Sequence, residues 1–149
     1  MSTPALPPCI IIHGLDHARA ALKAAQGRDI ILRSPSGAAA LHGVEWWKRL
    51  LDRLRRDFPD APFTAILDCG DCPGWAMAAL RAEVGLIVLT GAGPAHRAVR
   101  EAAEQKEAWG EGRWGYDSLD LLGAHDPGLS CREFLQRSRE EQPVRQGGS

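Results

Sequence analysis

Apolar and polar positions alternate along this chain in blocks of two kinds, short continuous runs and longer stripes. Cys9-Ile10-Ile11-Ile12 is a continuous apolar run closed by His13-Gly14, and it predicts a strand buried on both faces. Asp16 then stands where a helix cap belongs. Ala18, Ala21, Leu22 and Ala25 recur at helical spacing, and Gly27 ends the stripe. Asp29-Ile30-Ile31-Leu32-Arg33 predicts a second strand, stopped by Ser34-Pro35-Ser36-Gly37. From Val44 to Phe58, the residues Val44, Trp47, Leu51, Leu54 and Phe58 fall within a stripe of about 80°. Trp46 lies off that stripe, which suits an oligomer contact, a pocket wall or simple partial exposure.

The pattern then repeats. Phe63-Thr64-Ala65-Ile66-Leu67 predicts a third strand, running into Asp68-Cys69-Gly70-Asp71. Pro73 suits a first helical position, with Asp71 or Cys72 as cap, and a small-residue helix follows from Trp75 to Glu83. Leu86 to Leu89 predicts the fourth strand, Thr90-Gly91-Ala92-Gly93 its exit, and Pro94 the start of another helix. Strand and helix alternate four times, the signature of a single α/β domain with parallel strands and right-handed crossovers. Ser118 to Leu122 supplies a fifth short strand, and Phe134 to Glu140 a terminal helical turn. The expected organisation is a disordered lead over 1–8, an α/β domain over 9–122, and a partly disordered extension over 123–149. Its four to five mainly parallel strands form an open Rossmann-like sheet or a half-barrel.

Composition narrows the function classes. Eighteen Lys and Arg balance nineteen Asp and Glu in 149 residues, a net charge of −1. A nucleic-acid-binding domain carries a positive excess, so no nucleic-acid partner is expected. No apolar run approaches the roughly 20 residues of a membrane-spanning helix. The N-terminus shows no secretory pattern, so no membrane partner and a cytoplasmic location are expected. Four cysteines (Cys9, Cys69, Cys72 and Cys131) are then expected to be reduced.

In parallel α/β folds, ligands meet the carboxyl ends of the strands. The exits here gather His13-Gly14, Ser34 to Gly37, Asp68 to Cys72, and Thr90 to Gly93. Three readings of the third exit stay open. Asp68 and Asp71 act as general bases or metal ligands, joined by Cys69 and by His13 from a neighbouring strand. Alternatively, Cys69 and Cys72 form a redox C-x-x-C pair, or Asp71 only caps a helix while Asp68 pins a turn. Backbone amides after the fourth strand suit an anion, which makes Thr90, Gly91, Gly93 and His96 ligand-binding candidates together with Ser36 and Gly37. No Gly-Lys-Ser/Thr follows Gly93, so the loop is not a P-loop, and the dinucleotide glycine spacing also fails. A zinc site built from His13, Asp68, Cys69 and His96 lacks diagnostic spacing, so no metal and no cofactor is assigned.

The stretch from Ile66-Leu67-Asp68-Cys69-Gly70-Asp71 through Ala78-Ala79-Leu80-Arg81-Ala82-Glu83-Val84-Gly85 to Leu86-Ile87-Val88-Leu89-Thr90-Gly91 resembles one βαβ unit of a (β/α)8 barrel. It is similar to the class II sugar-phosphate aldolases, in which a strand ends in Leu-Asp-His-Gly. The likeness covers about 25 residues of this chain, and a full barrel needs about 250. Cys69 stands where that pattern has its metal-ligand histidine. The resemblance therefore implies the fold unit and the ligand face, without aldolase activity or zinc.

These readings converge on a small α/β protein that binds an anionic metabolite at its strand ends. A regulatory or protein-interaction module and a dithiol redox protein are the alternatives. An open sheet edge would favour a homodimer, with Trp46, Trp109 and Trp114 as contacts.

Overall fold

Short β-branched runs between helical stripes become strands, because each can be buried on both faces only inside a sheet. A computed structural model describes residues 6–114 and 117–141. Five strands, β1 (Cys9–Ile11), β2 (Ile30–Arg33), β3 (Phe63–Asp68), β4 (Leu86–Val88) and β5 (Ser118–Asp120), form one sheet in the order β4-β3-β2-β1-β5. Every pairing is parallel, with Cys9 opposite Ile31 and Ser118, Ile31 opposite Thr64, and Ile66 opposite Leu86. The helices are α1 (Leu15–Ala25), α2 (Ala38–His42), α3 (Val44–Asp57), α4 (Pro73–Ala82), α5 (Pro94–Gln105) and α6 (Pro127–Glu141).

The two faces of the sheet are unequal. Ile10, Ile12, Ile30, Leu32, Ala65, Leu67 and Ile87 share one buried cluster with residues of all six helices, including Trp47, Leu51 and Leu54 of α3. Cys9, Ile31, Ile66 and Leu86 alternate to the opposite side, where Val88 and Trp114 pack on them. Four consecutive strands laid down in one direction with right-handed crossovers put their helices on one side. After α5 the chain bridges beside β4, where Ile87 N–H donates to Ala108 O and Gly110 N–H donates to Ile87 O, each at 2.8 Å. It next pairs at the far edge as β5, beside β1. The β4 edge is thus partly covered by the chain's own residues.

Local details depart from the sequence reading at several points. Gly14 rather than Asp16 caps α1, and Asp16 lies 3.8 Å from Arg19. Cys72 caps α4 without a side-chain hydrogen bond. The Ser34–Gly37 exit leads into α2, a short helix absent from the pattern analysis. Trp46 is half-buried, its ring 4.7 Å from that of His42 at the end of α2. The C-terminal helix begins at Pro127, seven residues earlier than expected, and Asp126 Oδ1 accepts the Leu129 N–H. Cys131, Phe134 and Leu135 join the helix-side core, so part of the expected extension belongs to the domain. Of the expected disordered segments, residues 1–5 and 142–149 lie outside the described residues. No helix among the described residues is long and apolar enough to cross a membrane.

Candidate functional site

Because all five strands run the same way, their exits share one rim. Three carboxylates are spaced along it, each tied to a cationic or titratable side chain. Asp71 meets His96 between the β3 and β4 exits, Asp68 meets Arg33 between β3 and β2, and Asp120 meets His13 between β5 and β1.

Asp68 is the most heavily engaged. Its Oδ1 accepts the Gly37 N–H at 3.0 Å and the Gly70 N–H at 2.8 Å, while Oδ2 accepts from Arg33 Nη2 at 2.8 Å. The Asp68 N–H donates to Ser34 Oγ, which is fully buried. Gly37 and Gly70 both have positive φ, and a Cβ on Gly70 would lie 3.3 Å from Gly37 Cα. The carboxylate therefore clamps the β2–α2 and β3–α4 loops together where they touch. Ser36 is exposed at the tip of the first loop.

Cys69, the next residue, points to the other face. It sits in the helix-side core, with its thiol near Leu67 O at 3.8 Å. Burial, reinforced by the Asp68 charge and by Cys72, pushes its pKa up to about 12. The four cysteines are free, and only Cys72 is partly accessible. A redox or nucleophilic cysteine needs a depressed pKa and access, and Cys69 has neither.

Asp71 is exposed, and instead of capping α4 its Oδ1 accepts from His96 Nε2. Gly91 makes this contact possible. Its φ is +121°, and a Cβ there would overlap the His96 ring and lie 2.8 Å from Asp71 Oδ1. His96 Nδ1 is buried against Gly93 with no partner among the described residues. The ring therefore presents no free nitrogen to the rim. Gly93 is the α5 N-cap without a side-chain bond, and exposed Thr90 donates its N–H to Gly70 O at 2.8 Å.

At the far end, His13 Nε2 and Asp120 Oδ1 are 2.6 Å apart. The His13 N–H donates to His17 Nδ1 at 3.1 Å, which satisfies an amide just before α1. Partial burial, with the neighbouring His13, lowers the His17 pKa. Partial burial would raise the Asp120 carboxyl, but the Leu122 N–H and the His13 ring outweigh it and hold the pKa down.

The structure thus joins Asp68 to Gly37, and Asp71 to His96, Gly91 and Gly93. It places His13 two strands away from Asp68 and turns Cys69 from the rim. No group of three or more His, Cys, Asp or Glu side chains suited to a metal occurs among the described residues.

Sequence reasoning missed Arg33 and Asp120, and it offered Trp114 as a contact between copies rather than as the ring beneath Arg33. Arg33 ends a strand on the helix-free face, where its guanidinium carbon lies 5.0 Å from the Trp114 ring centroid. Its side chain is 20% exposed, and Nε has no partner among the described residues. The available signal was parity: Arg33 is two residues after Ile31, so both face the same side of β2. Asp120 carried no signal, because its place beside His13 depends on β5 pairing with β1. The sequence matches no family model, and no curated protein matches it.

Proposed function

We propose that the carboxyl rim binds a small anionic metabolite, with Arg33 as the charge that receives it. The observation that carries this is the partly buried guanidinium itself. A parallel strand ordinarily places an aliphatic side chain at such a position. Among the described residues, Arg33 spends one side-chain hydrogen bond, on Asp68, and stacks on Trp114. A planar fork held from one side and backed by an aromatic ring is preorganised for carboxylate or phosphate oxygens. The Gly91–Gly93 loop supports the same reading, since it leaves the first amides of α5 without a side-chain cap.

Ligand-induced thermal shift tests it, using inorganic phosphate, a sugar phosphate and citrate as probes. At least one should raise the melting temperature of the native protein. Arg33→Lys keeps the charge but loses the fork, and Arg33→Gln loses both, so the shift should shrink in that order. Equal shifts in wild type and both variants, or no shift with any probe, would overturn the assignment.

A further inference from the structure

Between them, α1 and α6 form an open groove of about 520 Å³ lined by Asp16, Arg19, Lys23, Gln26 and Arg132 over a floor that includes Ala20 and Ala24. The volume lies within the roughly 300–1,000 Å³ range of small-molecule sites. Its walls carry three cations against one carboxylate. Arg19 is committed to Asp57 at 2.8 Å, while Lys23 and Arg132 form no ion pair with any described residue. Both are exposed, and each lines the groove from its own helix. Arg132 folds back over Gly128, where an added Cβ would lie 3.2 Å from its Nη1 and 3.6 Å from Asp126 Oδ1. Further along the helix pair, Arg28 donates to Leu135 O at 2.7 Å and to Ser138 Oγ at 3.3 Å. Alanines at 20 and 24 leave the space that longer side chains would fill.

We propose that the groove between α1 and α6 is a second anion site, for a small oligophosphate held between Lys23 and Arg132. Phosphate oxygens complement unpaired ammonium and guanidinium groups, and the net positive lining of a chain with net charge −1 selects for a multivalent anion. Asp16, at the mouth and fully solvated, opposes the ligand and favours release.

Calorimetry with inorganic triphosphate at fixed ionic strength tests the proposal. Saturable binding should weaken roughly tenfold in the Lys23→Ala/Arg132→Ala double variant, since each exposed pair contributes a modest share. Asp16→Asn should tighten it, and in Arg33→Gln, where any rim binding is lost, the groove binding should persist. Amide NMR shifts should map to residues 16–26 and 128–132. Binding unaffected by the double variant, sulfate competing equally at matched ionic strength, or shifts confined to the rim amides of Gly37, Gly70 and Gly91 would each overturn it. The last outcome would leave the rim proposal standing alone.

Discussion

Arg33 Nη2 and Asp68 Oδ2 lie 2.8 Å apart across adjacent strands, and the same carboxylate holds the Gly37 and Gly70 amides through its other oxygen. One buried side chain thus joins two loops and a cation. Asp68→Ala strands all three partners and should cost about 3 kcal/mol, in the range for breaking a partly buried charge pair. Asp68→Asn retains one acceptor and should cost less. Urea denaturation of both variants checks the order.

Gly91→Ala should destabilise by about 1–3 kcal/mol, through strain at positive φ together with overlap of the Asp71–His96 pair. In a His96→Ala background the overlap with the ring is relieved, and the strain remains with only the exposed Asp71 side chain to move aside. A double-mutant cycle should therefore show strong coupling between positions 91 and 96. Additive effects would mean that the loop makes room for the pair without glycine.

The His17 pKa is lowered on folding, so the unfolded chain takes up a proton first as the solution is acidified. Stability from this histidine is complete above its ordinary value of about 6.5 and is lost as pH falls below it. Asp120, also lowered, contributes above the ordinary carboxyl range and loses that contribution at still lower pH. Denaturation midpoints should fall in two steps, and His17→Gln should remove the upper one. A midpoint that rises between pH 7 and 5.5 would contradict this.

Thiol reactivity should separate the cysteines. Cys72 is partly accessible and should label in the native protein at pH 8. Cys9, Cys69 and Cys131 are buried with raised pKa values, about 12 for Cys69 and about 11 for Cys131. They should label only after unfolding. Mass spectrometry of alkylated protein reads the difference, and rapid native labelling of Cys69 would revive the dithiol alternative.

The strand–helix alternation was legible because continuous apolar runs and helical stripes differ in period. Val44 to Asp57 is the clearest case, where the apolar spacing alone placed the helix. The shared rim followed from parallel strands. Side-chain partners along it did not, because they depend on contacts between residues far apart in the chain. Asp71 looked like a helix cap by position, yet the absence of a Cβ at Gly91 lets His96 reach it instead. Cys69 looked like a rim residue by adjacency to Asp68, but strand parity sends it inward. The C-terminal helix was underread because Cys131, Phe134 and Leu135 are scattered among charges that face water.

The neighbour relation between β1 and β5 has a consequence for biosynthesis. Cys9 cannot find Ser118 until more than a hundred later residues have been made. While the chain emerges from the ribosome, the outer edge of its first strand stays unsatisfied even after β2 has docked on the inner one. That edge is where a nascent chain of this protein would be most prone to mispair, and where a chaperone would have the longest time to act.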